Sequence, residues 1–337
     1  MKVDFEKYHG TSNDFIIIDN RENIVQLDNK TIVRLCDRRT GIGADGVILL
    51  EEEKGYDFRM VYFNSDGTQS MCGNGGRCIV QYAFDHGIRP AADVASSNDG
   101  DRDCPQWRYS FTAVDGPHAA VVDSTTGLVR LLLADVEQVE YGVCGGSHHG
   151  RDTGSDGDSV SGWGVEYCVL DTGSPHYIVL PPDGLVSADP GAALRALDVA
   201  VLGRDIRHSS RFAATGINVN FLVGLNPDCA DGSGPEVVGI RTFERGVEAE
   251  THSCGTGCAA AAIAVTHQRL MRTGSGLGAA ADEGNGTQCE VHMQARGGDL
   301  AIHFRANKVE SSEGGFRYSD VWLVGPGVFA FSGTVVV

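Results

Sequence analysis

Two cysteines in this chain occupy the same uncommon local setting. Cys72 lies in MCGNGGRC (71–78) and Cys254 in HSCGTGCAA (252–260), and each is followed by Gly-x-Gly and then by helix-forming residues. A cysteine at a helix start meets the unbonded N–H groups of the first turn and the positive end of the helix dipole, both of which favour the thiolate. The same N–H groups can hold a carboxylate, and the glycines let a ligand come close to the backbone. One such turn describes an activated thiol. Two describe a pair that could grip the carboxylate of a single amino acid and set one sulfur on each side of its α-carbon. A thiolate would remove the α-proton from one face while the opposite thiol supplies a proton to the other, inverting the centre without a cofactor. A lone Cys-Gly at a helix start is usually incidental; the repetition gives it chemical weight. A Cys–His hydrolase would leave the second turn unexplained. A dithiol redox pair would use both thiols but not the carboxylate-binding turns.

The elements that must carry these turns are legible in outline. NDFIIIDN (13–20) and GVILLEE (46–52) read as strands, and DFRMVYFN (57–64) alternates with Phe58, Met60 and Tyr62 on one face. RCIVQYAFDHG (77–87) reads as a helix closed by Gly87. GINVNFLVG (216–224) places Ile217, Val219 and Phe221 on one face and Asn218 and Asn220 on the other. VVGIRTFERG (237–246) is a strand entering a charged turn, and the alanine-rich 255–270 is a strong helix. Residues 91–103, 145–162 and 273–288 are rich in Gly, Ser and Asp and read as loops; His148 and His149 sit in the second, where exposed loop histidines are the ordinary case. Runs of strands with few helices predict an α+β fold, and neither glycine turn matches a dinucleotide or phosphate loop.

The bulk numbers narrow the function. A length of 337 residues with 42% hydrophobic content suits two domains. A net charge of −18 argues against nucleic-acid partners. No apolar run approaches ~18 residues and the N-terminal stretch has no signal-like apolar core, so a cytoplasmic protein without a membrane partner is expected. The ten cysteines do not suggest a secreted disulfide framework. The Cys72/Cys78 and Cys254/Cys258 spacings are the nearest to a metal pattern, but no metal and no cofactor is expected.

At this point the chain resembles the diaminopimelate epimerases, pyridoxal-independent amino-acid epimerases. The resemblance rests on KYHGTSNDFIIID, DRRTGIGADGVILLE, YFNSDGTQSMCGNGGRC, DTGSPHYIVL, TGINVNFLV, IRTFERGVEAETHSCGTGCAAAA and VWLVGPGVFAFSGTV, which together span nearly the whole sequence. It implies two pseudo-symmetric lobes, each a mixed sheet wrapped around a central helix, with the active site in the cleft between them. The lobes would be 1–122 plus 324–337, carrying Cys72, and 123–323, carrying Cys254. It also implies interconversion of LL- and meso-2,6-diaminopimelate, for lysine and peptidoglycan synthesis, by a homodimer whose other partner is the small-molecule substrate. Carried over position by position, Cys72 and Cys254 are the acid/base pair, and Gly73, Asn74, Gly255 and Thr256 hold the reacting carboxylate. Asn13, Asn64, His176, Asn218, Glu244 and Arg245 bind substrate. A zwitterionic far end needs an anion and a cation: Arg245 suits its carboxylate and Glu244 its ammonium. The chain departs from the pattern at Ser174, where Asn is common, at Gly46, where Gln occurs, and at Gly76, where Ala is frequent. Proline and hydroxyproline racemases typically read Cys-Gly-His-Gly at the first turn, so Asn74 points away from them, and phenazine-type isomerases lack the paired cysteines. A histidine racemase differs only in the distal pocket, and a non-catalytic amino-acid-binding or redox-sensing homologue is the alternative from another class.

Overall fold

The computed structural model describes residues 1–90, 106–144, 165–180, 190–224, 236–273, 281–282, 286–309 and 315–337. The expected loops at 91–103 and 145–162, with His148 and His149, lie outside them. The chain divides into two compact units, Met1–Leu132 with Val324–Val337, and Leu133–Leu323. The first crossing falls after Leu132 rather than after residue 122, because a further strand, 128–132, pairs antiparallel with the one before it.

The first unit is built from β1 (Lys2–Gly10), β2 (Asn13–Asp19), α1 (Asn29–Cys36), β3 (Gly46–Glu51), β4 (Phe58–Asn64), α2 (Gly73–Asp85), β5 (Gln106–Ala113), β6 (Gly116–Asp123) and β7 (Leu128–Leu132). The last strand of the chain, Val328–Val336, pairs antiparallel with the far edge of β1. From β1 to β6 the neighbouring strands run antiparallel, parallel, antiparallel, parallel and antiparallel. Helix α2 packs against β1, β2, β3, β4, β6, β7 and the last strand. Every residue from Asn74 to Ala83 is therefore buried, as expected of a helix enclosed by its sheet. The helix begins four residues before the predicted 77. Its glycine-rich first turn packs closely against the sheet: a Cβ on Gly75 would press on Met60 Cε at 3.1 Å and one on Gly76 on Leu131 Cδ2 at 3.0 Å, so side chains there would have to give by a few tenths of an ångström. Gly87 ends the helix with a positive φ of 64°.

The second unit contains β8 (Glu140–Cys144), β9 (Val165–Asp171), β10 (Pro175–Val179), α3 (Pro190–Ala196), α4 (Val199–Arg207), β11 (Asn218–Gly224), β12 (Glu236–Glu244), β13 (Ala249–Thr251), α5 (Gly255–Thr273), β14 (Ala281–Asp282), β15 (Gly286–Ala295), β16 (Gly298–Lys308) and β17 (Phe316–Pro326, whose last residues belong to the first unit). Strand β15 starts inside the third predicted loop, at Gly286. Along β9, β10, β11, β12, β15 and β16 the pairing again runs antiparallel, parallel, antiparallel, parallel, antiparallel. Helix α5 takes the place of α2, packed against all six of these strands. Its run Ala259–Ala264 is wholly buried, small side chains allowing the strands to close around it. The two units thus repeat one mixed-sheet plan around one helix, and each helix is preceded by one of the two cysteines.

Helices α1 and α4 are absent from the sequence reading. Their starts are nonetheless encoded: the Asp28 carboxylate accepts from Thr31 N–H at 2.8 Å, and the Asp198 carboxylate from Val201 N–H at 3.1 Å.

Candidate active site

In the first unit Cys72 is the N-cap of α2, with extended backbone (φ −134°, ψ 116°), and its carbonyl accepts the Gly76 N–H at 2.8 Å. Cys72 is half-buried. Asn13, at the start of β2, lies beside it: Asn13 Oδ1 accepts from Cys72 Sγ at 3.5 Å and from Asn74 Nδ2 at 3.2 Å. Asn13 Nδ2 donates to Asp45 Oδ2 at 2.7 Å. Asn64 closes β4, and its Nδ2 donates to Thr68 O at 3.1 Å and Ser70 Oγ at 3.2 Å, tying the turn that leads into Met71 and Cys72. Asn13, Cys72 and Asn74 are thus in direct contact, while Asn64 joins them through the chain.

In the second unit Cys254 precedes α5, and its carbonyl accepts the Cys258 N–H at 2.9 Å. The site around it is a buried polar chain. Thr256 Oγ1 lies 3.5 Å from Cys254 Sγ, 3.0 Å from His176 Nε2 and 3.1 Å from Ser174 Oγ. On the other side of the imidazole, Asn220 Nδ2 lies 3.1 Å from His176 Nδ1. The orientation of that amide is fixed, since Asn220 Nδ2 also donates to Tyr177 O at 3.3 Å while its Oδ1 accepts from Thr242 Oγ1 at 2.9 Å. His176 Nδ1 is then an acceptor, so the ring proton sits on Nε2 and points at the Thr256 and Ser174 hydroxyls. Burial, reinforced by the positive charge of Arg245, pushes His176 down to about 3, so the ring is neutral at physiological pH.

Burial raises the Cys254 thiol well above its ordinary value and the charge of Glu244 adds to this, against hydrogen bonds from Thr256 and the Gly257 N–H. The helix start alone predicts a lowered value. At Cys254 desolvation outweighs it. Asn218 Nδ2 donates to Pro175 O at 3.1 Å and its Oδ1 accepts the Arg245 N–H at 2.8 Å. The exposed Arg245 side chain donates to Thr215 O at 3.2 Å. The second unit therefore gathers Cys254, Thr256 and His176 directly, with Asn218 and Arg245 joined to them through Ser174 and Pro175.

A diaminopimelate epimerase family model matches residues 5–104. The chain is 35% identical to the diaminopimelate epimerase of Flavobacterium psychrophilum, over 98% of both chains. It belongs to the diaminopimelate epimerase family.

A second family member, from Chlorobaculum tepidum, is 38% identical over 75% of this chain and 80% of its own. Membership makes the protein an isomerase. Solved structures of lower identity share the fold: a Bacillus anthracis phenazine biosynthesis protein of the PhzF family (11% identical, all of both chains, TM-score 0.62) and a hydroxyproline epimerase from Agrobacterium vitis (15% identical, 99% of this chain and 92% of that one, TM-score 0.57).

Two departures from the family pattern gain a physical account. Ser174 replaces a longer amide, and its hydroxyl is drawn inward to His176 Nε2 at 3.0 Å and to Thr256. Gly46 has no room for a side chain, because a Cβ there would lie 2.4 Å from Phe63 O and from the Tyr62 ring. Sequence reasoning missed Asp45 and Asn220 as parts of the site. Asn220 had a signal, a second amide two residues after Asn218 in a strand whose residues from Asn218 to Val223 are all buried. No three His, Cys, Asp or Glu side chains gather into a metal-holding group among the described residues.

Proposed function

We propose that this protein interconverts LL- and meso-2,6-diaminopimelate with Cys72 and Cys254 as its two acid/base groups and no cofactor. The observation that carries the reading is the duplicated half-site: each unit sets one cysteine at the entrance of its central helix, with Gly-x-Gly next to it. The first-turn N–H groups of Gly73, Asn74, Gly255 and Thr256 are directed at the reacting carboxylate. One sulfur, as thiolate, takes the α-proton from one face. The other, as thiol, delivers a proton to the opposite face, and the carbanion between them lasts only as long as that exchange. The protons balance, and the enzyme leaves the turnover with its two protonation states swapped.

Arg245 and Glu244, with Asn64 and Asn218, recognise the distal zwitterion, while Asn13 and His176 line the reacting end. The neutral His176, donating from Nε2, supports Thr256 beside Cys254. The protein acts in the cytoplasm as a homodimer, and the exposed Phe329 and Phe331 of the last strand are the side chains such an association would cover.

The test is exchange of the α-proton. Incubated with LL-diaminopimelate in deuterated water, the enzyme should place deuterium at the α-carbon as meso product forms, with proline and histidine left unlabelled. A binding protein gives no label. Faster labelling of proline or histidine would assign the fold a different substrate.

A further inference from the structure

In the first unit the parallel register of β2 and β3, with Phe15 opposite Gly46, brings Asn13 and Asp14 alongside Asp45. Asp45 is bound on three sides. Its Oδ1 pairs with Arg38 at 2.7 Å, and its Oδ2 accepts from Asp14 N–H at 3.2 Å and from Asn13 Nδ2 at 2.7 Å. A carboxylate offers only acceptors, so the Asn13 amide can meet it only with its nitrogen. The carbonyl oxygen is thereby turned the other way, onto Cys72 Sγ and Asn74 Nδ2. An oxygen acceptor at a sulfur favours the S–H form; the amide nitrogen, were the group reversed, would favour the thiolate.

We infer that Asp45 is a positioning residue that, through Asn13, holds the proton on Cys72. The inference rests on the two-thiol reading of the site and extends it. The charged groups on this face are Lys7 and Arg38, paired with Asp14 and Asp45, and the helix itself adds the buried Arg77 and the Cys78 thiol. The end of the Asn13 amide that faces the sulfur adds a bias toward the S–H form, opposing the pull of the helix start toward the thiolate. Because each turnover swaps the two protonation states, this lock sets how readily the enzyme returns to the form with Cys72 protonated. It thus affects which substrate epimer the free enzyme is ready to bind.

The experiment reads Cys72 alone and needs no turnover. The full-length protein is alkylated with iodoacetamide across a pH series, and modification of the Cys72 peptide is followed by mass spectrometry. Asp45→Asn lets the new amide donate to the Asn13 carbonyl and releases the reversed orientation. The Cys72 profile should move down by about one pH unit, roughly a tenfold rise in alkylation rate at neutral pH. Asp45→Glu, which keeps the acceptor, should restore the parent profile. Asn13→Ala removes the oxygen without touching Asp45 and should also lower the profile, which keeps the test open if the Asp45 variant does not fold. A folded Asp45→Asn protein with the parent Cys72 profile overturns the inference. So does an Asn13→Ala protein whose profile is unmoved or rises. Neither result bears on whether the enzyme epimerises diaminopimelate, which the deuterium experiment decides separately.

Discussion

Replacing Gly257 by alanine tests whether the polar chain behind Cys254 is as rigid as its contacts imply. The added Cβ would lie 2.6 Å from Asn220 Oδ1 and 3.3 Å from Cys254 Sγ. The oxygen cannot retreat cheaply, because the same amide is held by Thr242, Tyr177 and His176. Overpacking of a fixed site costs about 1–3 kcal/mol. Removing a glycine from a helix returns at most ~1 kcal/mol. The steric effect should win, leaving the protein about 1–2 kcal/mol less stable. Gly75→Ala in the equivalent turn of α2 is the control: its Cβ would meet only side-chain tips, Met60 Cε at 3.1 Å and Ile48 Cδ1 at 3.3 Å, which can shift. It should fall within about 1 kcal/mol of the parent. Urea unfolding of the three proteins measures both differences, provided the m-values agree. Alkylation of Cys254 should change in the Gly257 variant alone. A Gly257→Ala protein as stable as Gly75→Ala would refute the rigid-site argument.

Other outcomes follow from the same geometry. Cys72→Ala and Cys254→Ala should each abolish epimerisation while the circular dichroism spectrum is retained, and near-normal turnover by either would end the two-base mechanism. Arg245→Met should lower kcat/KM for diaminopimelate about ten- to hundredfold, the effect of one charge-assisted hydrogen bond, and barely change α-proton exchange of any short amino acid that is accepted. Although burial pushes Asp14 upward, hydrogen bonds from Arg38 and the largely buried Lys7 hold it well below the ordinary carboxylate range. Its contribution is therefore full above the unfolded carboxyl value of about 4 and is lost as pH falls toward the folded value. Asp14→Asn should cost about 3 kcal/mol at pH 7, with the gap to the parent narrowing below pH 4 in urea titrations. His176, whose folded value is depressed to about 3, should stay neutral between pH 8 and 5. Its nitrogen-15 signals should report Nε2–H throughout that range, and a titration midpoint near 6.5 would contradict the burial argument.

The two cysteine turns were legible because everything that makes them is local: a cysteine, two glycines and a helix-forming run. Helix α2 was read four residues short because its glycines look unfavourable by propensity, and only packing against Met60, Ile48 and Leu131 explains them. Alternation in 216–224 found the strand but understated it. Both faces are buried, and Asn220 is tolerated inside because Thr242, Tyr177 and His176 satisfy it. The short helices α1 and α4 carry aspartate caps, but each is too short to show a clear helical period in the sequence. The contact between Asp45 and Asn13 spans 32 residues and depends on two strands running parallel. No local pattern reports that.

The pairing of β1 with the last strand has a consequence for how the molecule is made. Lys2 faces Val336, and Met1 and Val337 exchange backbone hydrogen bonds. On the ribosome, β1 emerges well before its outer neighbour and waits for it until more than 300 residues have followed. The second unit is continuous from Leu133 to Leu323 and can complete itself in the meantime. Domains commonly mature in the order they are synthesised; here the unit begun first would be finished last. During that interval the outer edge of β1 is an open sheet edge, available to any extended segment of another nascent chain. Slow translation of the final strand, or an extension that hinders its docking, should therefore show itself as aggregation during synthesis rather than as a weakness of the finished enzyme.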